Sequence, residues 1–212
     1  MKSLKCLALT ALLALGLMAS QASAQNLLAN PGFEDPITQD GPPFVGFWEG
    51  FSGGGPAFAA NSTASPRTGA QSLELTINGS VNNFAGAFQD VLVSPGQTLT
   101  FSGFQRTPSS PLDVVNEIRF EWRNSVSNTE VGRTANFSPA VTSVYAPFSI
   151  NGVVPAGADS ARIVYAIQTF TDNATHTGTV YIDDVSAVVP EPTAVALVGL
   201  GALASLRRRR AH

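Results

Sequence analysis

The stretch Glu117-Ile118-Arg119-Phe120-Glu121-Trp122-Arg123 decides the fold, because large apolar side chains alternate with charged ones along it. Successive side chains of a β-strand point to opposite faces, so this period of two predicts a strand with one buried and one polar face. The same alternation recurs from Leu73 to Ile77. Further strand candidates, separated by turn residues, cover 84–93, 98–105, 145–150, 161–170 and 179–188. Seven or more such strands and no sustained helical period predict an all-β protein, a β-sandwich.

The segment from Asp40 to Pro56 breaks this pattern, since its prolines and glycines suit no central strand. We predict a long ordered loop there, at an end of the sandwich where binding surfaces tend to form. Most of the thirteen phenylalanines fall in or beside the predicted strands. We therefore expect them in the core between the two sheets.

The chain begins with the basic residues Lys2 and Lys5, an apolar run from Cys6 to Ala19, and the small triplet Ala22-Ser23-Ala24. This is the order of a secretory signal peptide, here residues 1–24, which a signal peptidase would remove. Removal would discard Cys6, the only cysteine, so we expect no thiol chemistry in the mature chain.

Residues 25–189 suffice for one domain with a substantial core. They contain six arginines, no lysine and fourteen acidic residues, a formal charge of −8. Because phosphate binding depends on clustered Lys and Arg, this charge argues against nucleic acid as a partner.

No catalytic motif is found, and His176, in a loop of Asn, Thr and Gly, is expected to be solvated. Glu117 and Glu121 share one face of a predicted strand with Arg119 between them, which is typical of a charge-balanced exposed surface. The alternative is that Arg119, Glu121 and Arg123 make polar contacts with a sugar on a concave sheet face. We expect a non-catalytic protein.

Four segments, in this order, resemble the jelly rolls of carbohydrate-binding modules related to galactose-binding domains: 26–34 (NLLANPGFE), 65–73 (SPRTGAQSL), 93–102 (VSPGQTLTFS) and 180–185 (VYIDDV). The resemblance spans nearly the whole of residues 25–189 and implies a jelly-roll β-sandwich that binds polysaccharide. The region of Trp48 and Phe51 fits the buried aromatic that this family has after its first strand.

The adjacent residues Asp183 and Asp184 cannot both face inward on a strand, and an inward carboxylate must be paired or bound to a cation. In the family that the chain resembles, a calcium ion commonly ties the first strand to the last. The resemblance implies Ca²⁺ ligands at Glu34 and Asp183, with backbone oxygen from the turn at 67–71. The alternative is that Asp183 accepts backbone hydrogen bonds and Glu34 is solvated.

The C-terminal tail contains Pro190, Glu191 and Pro192, an apolar run at 194–206, and the basic cluster Arg207, Arg208, Arg209 and Arg210. This order resembles the PEP-CTERM sorting signal, whose tail an exosortase, a membrane protease, is thought to cut at the motif. Thirteen residues as a single membrane helix reach about 20 Å of a hydrocarbon layer of about 30 Å, so arginine snorkelling must assist. The arginines would stay in the cytoplasm and leave the sandwich outside the inner membrane.

Together these patterns predict a protein of a Gram-negative bacterium that is exported and held transiently at the inner membrane. Its destination would be the cell surface or the extracellular space, where it would bind or scaffold polysaccharide. Two alternatives remain open: a purely structural or adhesive envelope protein without a sugar site, and a glycoside hydrolase with a carboxylate pair.

Replacing Pro190, Glu191 and Pro192 with alanines is expected to leave full-length protein in the inner membrane of cells that have an exosortase. The two prolines keep the motif extended for a protease, whereas the apolar run and arginines would still anchor the variant. Mass spectrometry of the C-terminus measures this. An intact 207–212 end on secreted wild-type protein from such cells would contradict the prediction.

Overall fold

The alternating stretches form strands because each can then bury one face against a second sheet. The computed structural model describes residues 24–190, which contain ten strands and no helix. The strands are β1 (Glu49–Ser52), β2 (Ala57–Ser62), β3 (Ser72–Ser80), β4 (Phe84–Leu92), β5 (Thr98–Arg106), β6 (Val115–Asn124), β7 (Thr129–Arg133), β8 (Ala146–Val153), β9 (Ser160–Gln168) and β10 (His176–Val188).

The strands form two five-stranded sheets. Sheet A has the order β1-β4-β9-β6-β7, and sheet B has the order β2-β3-β10-β5-β8. All neighbouring strands pair antiparallel, and the chain crosses repeatedly from one sheet to the other. The predicted all-β jelly-roll sandwich is therefore confirmed for the described residues.

The core lies between the sheets and takes every second side chain of the central strands. From β3, β6 and β9 these are Leu73, Leu75, Ile77, Ile118, Phe120, Trp122, Ile163, Tyr165 and Ile167. Full burial of one such apolar side chain stabilises the fold by about 1.5–3 kcal/mol. Trp48 joins the core, with its ring 5.0 Å from that of Phe33, so its predicted burial is confirmed.

The opening segment, residues 26–35, is fixed to both sheets although it forms no strand. Leu27 N–H donates to the carbonyl of Ala187 on β10 at 2.8 Å. On the other side, the fully buried amide of Gln89 on β4 accepts from Ala29 N–H at 2.8 Å and donates to its carbonyl at 3.2 Å. These bonds satisfy a buried polar side chain and hold the segment across one end of the sandwich.

Three strands were missed in the sequence, and all three, β1, β2 and β7, lie at sheet edges. An edge strand pairs on one side only, so it can be short and need not alternate strongly. The predicted loop at 40–56 is wrong for Glu49–Ser52, which pairs with β4 as an edge of sheet A. Residues 40–48 form the expected loop.

The predicted signal peptide and tail fall almost wholly outside the described residues, which include only Ala24 and Pro190 of them. Glu191, Pro192, the predicted membrane helix at 194–206 and the cluster at 207–210 thus lie outside. Within residues 24–190, no helix has the length and apolar character needed to cross a bilayer.

A polar group inside the core is the hydroxyl of Tyr165. It donates to Gln105 Oε1 and accepts from Asn116 Nδ2 at 3.5 Å. The amides of Gln105 and Asn116 donate in turn to the carbonyls of Ala140 and Pro139, at 3.1 and 2.9 Å. Burial raises the pKa of Tyr165, so the hydroxyl keeps its proton and remains a donor.

Tyr165→Phe is expected to lower the free energy of unfolding by about 1–3 kcal/mol, because Gln105 Oε1 would be left buried without its donor. Urea unfolding followed by the fluorescence of the two buried tryptophans measures the change. Tyr181→Phe, which removes a hydroxyl from the outer face of sheet B, is the matched control and should stay within about 0.5 kcal/mol of wild type. Equal midpoints for the two variants would contradict the role of the buried hydroxyl.

Candidate functional site

The side chains of sheet A that point away from the core share one outer face. Pairing of the central strands sets Phe88 beside Val164 and Arg119 in one row. The next row contains Asp90, Arg162 and Glu121. The face is therefore mainly aromatic towards β1 and β4, apart from Asp90, and mainly charged towards β6 and β7.

Five phenylalanine rings follow one another across the apolar side, and we call them the aromatic strip. In order of contact they are Phe44, Phe88, Phe51, Phe84 and Phe170, and successive ring centroids are 5.0, 6.0, 6.1 and 6.0 Å apart. Phe88 is 8% exposed, whereas Phe170, in the loop after β9, is 55% exposed. The strip thus runs from a nearly buried middle to an open end.

Gly86 makes room for the middle of the strip. A Cβ on Gly86 would lie 2.4 Å from Cζ of Phe51 and 2.9 Å from Cβ of Ala166. Such distances do not occur between real atoms, so the ring of Phe51 lies against the sheet only because position 86 has no side chain.

The charged side of the face is made of ion pairs. Arg119 binds both Glu117 and Glu121, with 2.7 Å from its Nη2 to Glu121 Oε1. Arg162 donates to both oxygens of Asp90, at 2.8 and 3.1 Å, while its guanidinium lies 3.9 Å from the centroid of Phe88. Both arginines are only about 15% exposed at the side chain. Their planes are therefore fixed in position before any ligand arrives.

A third pair lies at the edge of the face, on β7. Arg133 donates from Nε and Nη2 to the two oxygens of Glu130, each at 2.6 Å. These bonds hold the pKa of Glu130 below its ordinary value. Glu130 therefore stays ionised beside Arg133, and the pair adds no net charge to the face.

An open depression of about 170 Å³ lies where the two sides of the face meet. It is lined by Phe51, Phe88, Arg119, Glu121, Arg162 and Val164. Aromatic rings, a carboxylate and two guanidinium groups thus border the same opening, an arrangement that can stack against a flat apolar surface and hydrogen-bond its polar edge.

Two of the three ligand-contact residues suggested by the sequence, Arg119 and Glu121, line this depression. Arg123 does not, because it lies at the β6–β7 turn and donates to the backbone and side chain of Asn128, both at 3.1 Å. Sequence reasoning missed Arg162, and its expectation of core positions for the phenylalanines is wrong for Phe51 and Phe88, which lie on the outer face. The alternation along β4 could have identified Phe88. It points to the same side of the strand as Gly86 and Asp90, opposite the core residues Ala87 and Val91.

Asp183 is buried, but not in the core. It points to the side of β10 opposite Val180 and Ile182, where the turn at 67–71 covers it. Its Oδ2 accepts from the N–H groups of Arg67 and Thr68, at 2.8 and 3.2 Å, and its Oδ1 accepts from Asp184 N–H at 2.7 Å. Burial raises the pKa of Asp183, against the effect of these three donors.

Glu34 binds the same turn from the opening segment. Its Oε1 accepts from the N–H groups of Ala70 and Gln71, at 3.0 and 3.3 Å. The turn therefore presents N–H groups to both carboxylates, where the sequence suggested carbonyl oxygens.

The two carboxylates are hard oxygen donors of the kind that calcium prefers. Among residues 24–190, however, no three His, Cys, Asp or Glu side chains are grouped as a metal site. Backbone carbonyls and water would have to complete the six to eight ligands that calcium takes. The residues fit calcium in chemical type, and its binding stays a prediction.

A protein-family model matches the tail, and solved structures match the fold. The family model of the PEP-CTERM protein-sorting motif matches residues 188–210. This motif indicates a protein that is exported and processed at the membrane by an exosortase. No curated protein matches the chain.

Several solved structures share the fold at low identity. The enzymatically active domain of bacteriophage CBA120 tailspike protein 4 is 15% identical with a TM-score of 0.58, over 77% of this chain and 21% of that one, so this chain spans about a fifth of it. TmCBM61 in complex with β-1,4-galactotriose is 12% identical with a TM-score of 0.51, over 78% of this chain and 99% of that one. The xylan-binding domain CBM22-1 of Paenibacillus barcinonensis Xyn10C is 17% identical with a TM-score of 0.54, over 79% and 96%. The chain therefore carries a PEP-CTERM sorting motif and, ahead of it, a β-sandwich with the fold of carbohydrate-binding modules.

Proposed function

We propose that the outer face of sheet A binds neutral polysaccharide outside the cell and that the protein is not an enzyme. The observation that carries the proposal is the depression in which the aromatic strip meets Arg119, Glu121 and Arg162. A sugar ring has apolar C–H faces and a rim of hydroxyl groups. Phenylalanine rings suit the faces, and fixed carboxylate and guanidinium groups suit the hydroxyls.

The charge balance of the face favours a neutral ligand over an acidic one. Three of the four arginines on the face have a carboxylate partner: Arg119 has Glu117 and Glu121, Arg133 has Glu130, and Arg162 has Asp90. The fourth, Arg123, donates to Asn128 at the β6–β7 turn. A uronate would have to compete with these internal partners and would meet the negative charge of the domain. Hydroxyl groups need only the remaining hydrogen-bonding positions of the same side chains.

A hydrolytic role has weaker support. Glycoside cleavage uses two carboxyl groups that flank the scissile bond. Glu117 and Glu121 are the paired carboxylates of this face, and the guanidinium of Arg119 lies between them, bonded to both. The place that a glycosidic oxygen would need is thus taken by an arginine.

The fold supports the same proposal, since TmCBM61 and the xylan-binding domain have it. We infer in addition that signal peptidase removes residues 1–24 and that the source is a Gram-negative bacterium. After tail cleavage the domain would hold polysaccharide at the cell surface or in the extracellular space. A structural or adhesive envelope protein with no sugar site is the remaining alternative.

A glycan array probed with the full-length chain in detergent is expected to show binding to neutral polysaccharides and not to polyuronates. Phe51→Ala should weaken the binding of a neutral hit by about tenfold or more, a loss of about 1.4 kcal/mol, because a stacking ring is removed. Gly86→Ala should do the same by displacing Phe51 from the sheet. Calorimetric titration measures both.

Gly132→Ala is the matched control, because it adds the same methyl group to another strand of sheet A, where nothing lies within 4 Å. It should bind as wild type does. Thermal melts confirm that each variant is folded. No binding on the array would favour the structural alternative, and new reducing ends after incubation with a bound glycan would refute the non-catalytic assignment.

We propose calcium binding at Glu34 and Asp183, and expect Ca²⁺ to raise the melting temperature of the full-length chain relative to EDTA. A ligand that binds only the native state stabilises it by about 2.7 kcal/mol at a hundredfold excess over its Kd. Asp183→Asn should abolish the calcium response, whereas Asp40→Asn, at an exposed loop position, should keep it. If wild type melts equally in calcium and EDTA, the two acids bind backbone N–H groups and no calcium, and the proposed site is wrong.

A further inference from the structure

The ring of His176, the first residue of β10, lies between two carboxylates. Its Nδ1 is 3.2 Å from Asp113 Oδ1, in the β5–β6 loop, and its Nε2 is 2.9 Å from Asp172 Oδ1, in the β9–β10 loop. The His176 side chain is 16% exposed, against 60% and 55% for the two aspartates. The sequence predicted a solvated histidine. That prediction is wrong, because the fold brings the distant β5–β6 loop against the ring, and the adjoining β9–β10 loop covers its other side.

This geometry requires the charged form of the histidine. An ionised carboxylate can only accept hydrogen bonds, and a neutral imidazole has only one N–H to donate. Both ring nitrogens face carboxylate oxygens, so both bonds form only when the ring is an imidazolium. Ser80, which pairs with His176 from β3, is uncharged. The charged groups that face the ring are therefore Asp113 and Asp172.

The pKa values follow the same contacts. Hydrogen bonds that the ring donates to Asp172 and, with a smaller effect, to Asp113 hold the pKa of His176 above its ordinary value. Hydrogen bonds from the Thr177 N–H and, with a smaller effect, from the His176 ring hold the pKa of Asp113 below its ordinary value. The pKa of Asp172 is also lowered, first by the hydrogen bond from His176 and then by that from the Ala174 N–H. Each group thus favours the ionised form of its partner.

The loop that Asp172 belongs to also carries Phe170, the open end of the aromatic strip. Before Phe170 the loop is anchored by Thr169, which donates its N–H to the Asn83 carbonyl and accepts from Asn83 N–H, both at 2.9 Å. After Phe170 it is held by the bond between Asp172 and His176. Phe170 therefore lies between an anchor that does not titrate and one that does.

We propose that Asp113, His176 and Asp172 form a pH-dependent clamp, and that the clamp positions Phe170 for ligand binding. The second part rests on the proposed function, whereas the first does not. His176 acts here as a positioning residue, because it reaches the ligand only through the loop.

The pH range follows from the directions of the pKa shifts. A histidine whose pKa is raised by folding stabilises the fold fully below its unfolded pKa of about 6.5, and the effect is lost as the pH rises through the higher folded value. Aspartates whose pKa is lowered contribute above their unfolded value of 3.8, and lose the contribution as the pH falls further. The clamp is therefore closed between about pH 4 and pH 6.5 and opens above that range.

The test uses the full-length chain in detergent at pH 6.0 and 8.5. Hydrogen exchange of residues 170–175, corrected for the intrinsic effect of pH, should rise severalfold at pH 8.5, and an NMR titration should give His176 a pKa above 6.5. His176→Gln should show the fast exchange at both pH values. Asp172→Asn should lose most of the pH dependence, because its amide can donate to the unprotonated ring.

Binding of the neutral glycan that scores best on the array supplies the second measurement. Wild-type affinity should fall severalfold from pH 6.0 to 8.5, and Phe170→Ala should bind weakly at both pH values. A His176 pKa at or below 6.5 would overturn the clamp, and so would hydrogen exchange of residues 170–175 that does not change with pH after the intrinsic correction. A loop that loosens while affinity stays constant would overturn its link to Phe170. If no glycan binds at any pH, the proposed function fails, while hydrogen exchange still decides the clamp.

Discussion

Burial of alternate side chains between two antiparallel sheets is the interaction on which the rest of this structure depends. The strands β3, β6 and β9 place their Leu, Ile, Phe, Trp and Tyr side chains in one core. Once this core fixes the register of β6, Glu117, Arg119 and Glu121 must emerge together on the opposite face. A shift of one residue would exchange the two sets and bury three charges, so the register that builds the core also builds the outer face.

The outer face of sheet A departs from a simple polar surface because phenylalanines of β1, β4 and two loops lie on it. Phe44, Phe51 and Phe88 pack with Val164 and Ala166 as a small second cluster outside the main core. Arg162 borders this cluster, with its guanidinium against Phe88 and its donors on Asp90. Apolar and charged groups are thereby held side by side at fixed positions, as a binding surface with low reorganisation cost requires.

Where the opening segment meets β10, two carboxylates accept backbone hydrogen bonds, whereas those of the outer face pair with arginines. Asp183 and Glu34 both accept hydrogen bonds from N–H groups of the turn at 67–71. The turn thereby links the opening segment to β10, which lies more than a hundred residues later in the chain. The N–H groups of this turn take no part in a strand ladder, so they need acceptors from side chains or water. The two acids supply those acceptors, and the opening segment is thereby tied to β10 without forming a strand.

The sequence by itself determined the seven longer strands, the two-sheet class and the sorting motif, because each depends on short-range periodicity or composition. It also placed Arg119 and Glu121 on a common face, since parity within one strand is a local property. It missed three of the four edge strands, β1, β2 and β7, which are short and whose one-sided pairing leaves little alternation. Only the tertiary structure decided which phenylalanines leave the core, which N–H groups reach Asp183, and that His176 lies between Asp113 and Asp172. The contacts of Asp183 with the turn and of His176 with Asp113 join segments more than 60 residues apart, and the position of Phe51 depends on the missing side chain of Gly86. No local pattern encodes them.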